Sequence, residues 1–311
     1  MRKAITLFMI LTVGLCYAQN YNAPTYKYSG EKISLKENTF QCQQIAKLEG
    51  DKSEGYQGMD IWGNYMVSCQ NSGIATIYKF SGDTINKISQ FKLGCFSQYN
   101  HANVASFSNI YYSKTDVFPL LFVSQSYVNT INGKKDVIYV ERISNDMRSS
   151  KLVKTIWFND VNHLCGYAVQ YVIDRENNYL YGYANTVSNS DPNNRHRIIK
   201  FHVPSILDSK DSLIVLTDKD LVENYLVEDT YSAPFNPIGQ GLFIKDGLLY
   251  MPVGIGTADE PSMLCVWDLH SHYMRNVIDL TKATFGELED CSMYDGNLII
   301  QSQGNLFRIK F

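Results

Sequence analysis

From about Cys42 to the C-terminus the chain reads as short apolar runs broken by turn residues, and no long stretch carries helical periodicity. Three segments set beneath one another show a unit: QGMDIWGNYMVSC (Gln57–Cys69), QGLFIKDGLLYMP (Gln240–Pro252) and EDCSMYDGNLIIQ (Glu289–Gln301). Each opens on polar or acidic residues and runs into a short apolar strand. A tight turn follows (Gly63-Asn64, Asp246-Gly247, Asp295-Gly296), then a second strand. Such dipeptides reach positive φ at low steric cost, as a two-residue hairpin requires. Two looser copies lie between them, HANVASFS leading to FPLLFVSQ, and YAVQYVIDRENNYLYGYAN.

A third strand follows each hairpin (ATIYKF, DVIYVERI, RIIKFHV, MLCVWDL, NLFRIKF), and a fourth follows most (KISQFKLG, KLVKTIWF, SLIVLTD, NVIDLT). Four strands recurring roughly every 40–70 residues predict the blades of an all-β propeller. Five blades are expected, or six if residues around 205–235 hide a partial unit. KDLVENYLVE (Lys219–Glu228) reads as a helical turn or an extra strand in the long connection before the fourth unit. The last unit ends at Phe311 without a fourth strand. QQIAKLEG (Gln43–Gly50) near the start of the chain matches the missing piece. Its insertion would close the ring and remove an exposed edge.

The N-terminus changes the picture of where the chain works. A basic start (Arg2, Lys3), an apolar run from Ala4 to about Cys16 and a small residue at Ala18 form the pattern of a secretory signal peptide. The run is too short to span a bilayer, and no other run is long enough. Lipid anchoring through Cys16 is disfavoured by the bulky Leu15 before it. The expected organisation is a signal peptide at 1–18, a polar leader or outer strap at 19–38, and a single propeller domain at 39–311. The expected location is the periplasm or the extracellular space.

Of seven cysteines, Cys16 would leave with the signal peptide. Cys42, Cys69, Cys95, Cys165, Cys265 and Cys291 remain. Export permits disulfides, but the spacings are wide, and several of these residues read as buried thiols within strands. The net charge of −3 argues against a nucleic-acid surface.

With its signal peptide, its QGLFIKDGLLY-type hairpins and its VWDL strand, the region from Cys42 to Phe311 resembles secreted bacterial β-propeller proteins of the broad YncE-like and TolB-like kind. VWDL is similar to the Trp-Asp pair of WD40 repeats, but it occurs once and lacks the preceding Gly-His. The resemblance implies a fold. It leaves open whether the protein is an enzyme, because such propellers include binding modules, scaffolds, lyases and glycosidases.

Radial symmetry predicts which distant residues meet, since first strands line the channel and their beginnings crowd one mouth. The expected ligand contacts are Gln57, Asp60, His101, Asn103, His163, Gln240, Glu287 and Glu289, with Cys165, Gln170 and Asp290 at equivalent levels. Glu287 and Glu289 are two apart, so on a regular strand they share a face. Such a pair could divide acid and base roles, with His101 assisting, in a glycoside hydrolase or polysaccharide lyase. In five-bladed arabinanase-type glycosidases the acids come from different blades, unlike here. The first expectation is instead binding of a carbohydrate or other polar small ligand at the channel mouth. A protein-interaction scaffold, with another envelope protein as partner, is the third. Neither a phosphate cradle nor a nucleophile elbow is present, and no cofactor or metal is assigned.

Overall fold

Twenty-two strands occur among the described residues of the computed structural model, which are 19–29, 32–126, 133–227 and 238–310, with side chains from Phe40 onward. Residues 1–18, where a signal peptide was expected, lie outside them. A hairpin comes first, β1 (Gln19–Ser29) and β2 (Lys32–Lys47). Blade one follows as β3 (Tyr56–Trp62), β4 (Tyr65–Gln70), β5 (Ile74–Ser81) and β6 (Thr84–Lys92). Blade two is β7 (Val104–Phe107), β8 (Leu121–Gln125), β9 (Val137–Ile143) and β10 (Ser150–Phe158). Blade three opens with β11 (Tyr167–Asp174), β12 (Tyr179–Asn185) and β13 (His196–His202), and after β14 (Leu213–Leu216) it ends on β15 (Leu221–Leu226). Blade four is β16 (Phe243–Lys245), β17 (Leu248–Val253), β18 (Met263–Asp268) and β19 (Tyr273–Asp279). Blade five is β20 (Leu288–Tyr294), β21 (Asn297–Ser302), β22 (Asn305–Lys310) and the N-terminal β2. The fold is therefore a five-bladed propeller.

The ring closes as the missing strand required. β2 pairs antiparallel with β22, from Gln41 opposite Lys310 to Lys47 opposite Asn305. The closing strand begins earlier than Gln43 and stops at Lys47 rather than Gly50. The first part of β2 pairs with β1, and β1 meets β19 at Thr25–Ile278 and Tyr26–Val277. One hairpin thus joins the outer edges of blades four and five into a nine-stranded sheet.

Two strands depart from the sequence reading. SLIVLTD was expected to close blade three. Its core forms β14, which lies parallel to β10 as a fifth strand of blade two, with Thr155 opposite Leu213 and Phe158 opposite Leu216. Blade three is closed instead by β15, inside the segment read as a helical turn or an extra strand. The reason is alternation. Leu221, Glu223 and Tyr225 are half-buried on one side, while Val222 and Asn224 face solvent. Tyr225 then accepts a hydrogen bond from Trp267 Nε1 at 2.9 Å, tying the strand to blade four.

The turns of blades four and five follow their dipeptides, while at Gly63-Asn64 only Gly63 takes a positive φ, of 57°. Asp246 and Gly247 have φ of 52° and 73°, and Asp295 and Gly296 have 50° and 69°. Both central residues are left-handed, as a type I′ hairpin needs. Five apolar clusters fill the spaces between neighbouring blades. Phe158, Leu180 and Phe201 meet between blades two and three, and Tyr181, Met251 and Trp267 between three and four. All six cysteines from Cys42 onward are buried free thiols, so the ring is held without disulfides. Among the described residues no helix is long and apolar enough to cross a membrane.

The inner strands β3, β7, β11, β16 and β20 each end a sheet and turn an unpaired edge to the axis. Two glycines let them approach. A Cβ on Gly58 would lie 2.5 Å from the Ala105 nitrogen and 2.8 Å from the Ala102 oxygen, both main-chain atoms of the neighbouring blade. Backbone cannot step aside as a flexible side chain can. Gly58→Ala is therefore expected to lower unfolding free energy by about 1–3 kcal/mol. Urea unfolding measures it. Gly82→Ala, whose Cβ would meet nothing within 4 Å, gives the cost of positive φ alone.

Candidate functional site

Three of the five inner strands carry a bulge near their start. Register slips between Tyr56 and Met59 in β3, between Tyr167 and Gln170 in β11, and between Leu288 and Asp290 in β20. A bulge places two residues opposite one and re-aims the side chains that follow. Gln170 emerges from its bulge to donate through Nε2 to the carbonyls of Gly239 and Gln240, each at 3.1 Å. Asp290 emerges from its own toward the axis.

The axis is occupied by two buried carboxylates. Asp290 Oδ2 accepts the Met59 amide at 2.8 Å, and Oδ1 accepts those of Leu242 at 3.1 Å and Cys291 at 2.9 Å. The Ala105 amide approaches Oδ2 at 3.5 Å. Blades one, two, four and five thus share one side chain. Burial pushes the Asp290 carboxyl well above the usual carboxylate range, and the amides pull it back. Every one of these partners is a donor, so the site is shaped for the acceptor-only carboxylate. Asp60 forms the second junction. It accepts the Phe107 amide at 2.7 Å and the Ser292 hydroxyl at 2.7 Å, and Arg175 Nη2 reaches both of its oxygens at 2.9 and 2.8 Å.

Beside this network lies a cavity of about 170 Å³ at the channel mouth. The expected residues His101, Asn103, Gln170, Gln240 and Glu287 all line it, drawn from blades two to five. Gln240 Nε2 donates to Glu287 Oε1 at 2.6 Å. Asn103 and Ser126 bond each other, with Nδ2 to Oγ at 2.6 Å and the Ser126 amide to Oδ1 at 3.1 Å. Tyr183, on the same wall, is backed by the buried His196, whose ring stacks on it at 5.5 Å.

Four other expected contacts sit elsewhere. Asp60 is committed to the ion pair with Arg175. Gln57 is half-buried and uses its carbonyl to accept Gln301 Nε2 at 2.6 Å. His163 is exposed in a turn at φ 53°, outside the cavity lining. Glu289 is buried and absent from the wall, because it is the extra residue of the β20 bulge and the two-residue alternation with Glu287 fails there. Among the described residues only one carboxylate, Glu287, lines the cavity. Sequence reasoning missed Tyr167, Ser126, Tyr183, Asn185 and Asn189. Ser126, Asn185 and Asn189 lie at or just beyond the ends of second strands, and a hairpin returns its second strand to the end where the first began. That logic could have found them.

Among the described residues the lining holds no lysine or arginine. Burial lowers the His101 pKa below its ordinary value, favouring the neutral ring at pH 7. Burial raises Glu287, against the opposing bond from Gln240. Glu289 lies well above the carboxylate range through burial, reinforced by Glu287 and Asp290. Such a wall can exchange hydrogen bonds with a polar ligand, and Glu287 with His101 can move protons. Among the described residues no group of three or more His, Cys, Asp and Glu side chains could hold a metal ion.

No family model matches the chain, and no curated protein matches it. Solved structures do. The glutaminyl cyclase of Myxococcus xanthus aligns at 12% identity over 86% of this chain and 95% of its own, with a TM-score of 0.52. The tail fibre of Staphylococcus aureus phage P68 aligns at 12% identity and a TM-score of 0.50, over 86% of this chain but only 51% of the fibre. At such identities these likenesses show the propeller fold alone.

Glu289 gives a test of the electrostatics. A carboxyl whose folded pKa is raised binds its proton more tightly folded than unfolded. Its stabilising share is present at low pH and is lost as pH rises above the unfolded value, near 4.3. Glu289→Gln should therefore gain about 1–3 kcal/mol at pH 7.5 and little at pH 4. Urea unfolding at both values decides, and an equal effect at each would contradict the burial argument.

Proposed function

We propose that the chain is an exported propeller, of the kind that includes the YncE-like and TolB-like proteins, that binds one small polar ligand at the channel mouth. One observation carries this reading. His101, Asn103, Gln170, Gln240 and Glu287, scattered across the sequence, converge on a single cavity. Its volume of about 170 Å³ is close to an engineered cavity of ~150 Å³ known to hold a benzene molecule. One sugar ring or one amino-acid end group fills such a space. Hydroxyls, amides and imidazole suit a ligand rich in hydrogen-bonding groups, so a carbohydrate unit fits. Among the described residues Glu287 is the only carboxylate of the lining, and no lysine or arginine faces it there. An ammonium-bearing ligand is favoured over an anionic one.

An enzyme reading rests on Glu287 with His101, since Glu289 is absent from the cavity lining. The raised pKa of Glu287 suits a general acid or base. The likeness to a glutaminyl cyclase brings glutaminyl-ended peptides into the set of ligands to test. A scaffold working through its rims would leave the cavity idle.

Calorimetry of the chain from Gln19 onward against neutral sugars, amino sugars, uronic acids and glutaminyl peptides, with product assayed in parallel, separates these. An amino sugar or peptide amine is expected to bind, and uronic acids are not. Glu287→Gln should weaken the ammonium-bearing ligand by about tenfold or more. Asn103→Ala should weaken neutral and charged ligands alike. Tight uronic-acid binding, or affinities that both variants leave intact, would overturn the reading.

A further inference from the structure

Blade two carries a second site on its outer flank, away from the channel. A cavity of about 240 Å³ there is lined by the cations Arg142, Lys151 and Lys154, by Tyr112, and by the apolar side chains of Leu152, Ile206 and Leu207. Among the described residues its wall holds no carboxylate. A neighbouring cavity of about 300 Å³ shares Leu152, Val153 and Lys154, adds Lys134, and among the described residues also has no acid in its lining. This flank belongs to a chain whose formal net charge is −3, so it is a local inversion of sign.

The fold builds the feature. β10 slips register between Leu152 and Lys154, so Val153 is an extra residue and three consecutive side chains reach the same wall. The segment that leads into β14 crosses in front and supplies the opposite wall with Ile206 and Leu207. Lys154 is more than nine-tenths buried. Its ammonium donates to the carbonyls of Ser209 at 2.8 Å and Asp211 at 2.6 Å, which accounts for two of its three N–H bonds. Arg142 is held by Asp116 through Nε at 3.0 Å and Nη2 at 2.6 Å, and it lies 4.5 Å over the Tyr112 ring. That carboxylate offsets one of the three positive charges. Lys151 is exposed and has no ion-pair partner among the described residues. Leu207 is 47% exposed at the lip.

We infer that this flank groove binds an amphiphilic anion, with a carboxylate, sulfate or phosphate group between Lys151 and Lys154 and an aliphatic or aromatic body against Leu152, Ile206 and Leu207. Fixed positive charge beside apolar surface selects that combination. Neither a free inorganic anion nor a neutral hydrocarbon satisfies both halves. The inference is independent of the channel-mouth reading, since the two cavities share no residue.

Anilinonaphthalene sulfonate is the probe, titrated by fluorescence into the folded chain and displaced by phenyl phosphate or by benzyl alcohol. One saturable site is expected, displaced by phenyl phosphate and not by the neutral alcohol, and weakened as salt is raised to ~0.5 M. Lys151→Glu should weaken the probe by about tenfold or more. Leu207→Asp should do the same from the apolar side. Both residues are exposed, so circular dichroism should show the fold unchanged, whereas Lys154 also anchors the crossing segment and its replacement mixes binding with stability. Absence of saturable binding, displacement by benzyl alcohol as readily as by phenyl phosphate, or indifference to both substitutions would each overturn the site.

Discussion

Each inner strand of this propeller ends its sheet and turns an edge of main-chain groups toward the axis. There the Gly58 amide bonds the Ala102 carbonyl of the next blade directly at 2.9 Å, and other edge amides are met by side chains. Buried N–H groups left without acceptors would cost enough to open the ring. Asp290 and Asp60 meet that constraint. Asp290 gathers amides from blades one, two, four and five, and Asp60 gathers groups from blades one, two, three and five. The glycines at 58 and 241 belong to the same solution. Gly241 lies so close to Asp290 that a Cβ there would sit 2.5 Å from Oδ1. Neutral side chains complete the joints. Ser124 and Ser106 accept the Tyr171 and Ile173 amides across the second and third blades. Five apolar clusters fill the spaces between the blades, and the axial polar network ties the inner strands to one another.

The candidate site stands on that network. Its polar floor is held by side chains already anchored to neighbouring backbone, as Gln170 is to the carbonyls of Gly239 and Gln240. A site so supported needs little rearrangement to receive a ligand. The acidic run at the start of β20 divides into three parts within four residues. Glu287 faces the cavity, Glu289 is buried behind it, and Asp290 closes the axis. A single bulge makes that division, since in a regular strand Glu287 and Glu289 would lie side by side.

Much of this was legible in the sequence. Turn dipeptides marked the hairpins, and the hairpin units pointed to five blades, with six left open by the residues around 205–235. A terminal unit short of one strand pointed to closure by the N-terminus. His101, Asn103, Gln240 and Glu287 could be brought together from symmetry alone. What stayed hidden depends on details below the level of the repeat. Bulges leave no residue signature here, so Glu289 was placed on the wrong side of its strand. LIVL at 213–216 is equally apolar at every position and does not declare which blade it joins, whereas Leu221–Leu226 is the extra strand that the sequence offered beside a helical turn, and its place at the edge of blade three was not legible. Gln57 occupies the same repeat position as Gln240, yet its carbonyl bonds Gln301 and it does not line the cavity.

The axial role of Asp290 is open to one direct measurement, the urea unfolding free energy of Asp290→Ala against the unaltered chain, from Gln19 onward. Removing the carboxylate strands the Met59 and Leu242 amides inside the protein, so a loss of about 3–5 kcal/mol is expected. Hydrogen exchange at those two amides should accelerate as well. A loss below ~1 kcal/mol with both amides still protected would show that the blades hold their ring without the axial carboxylate.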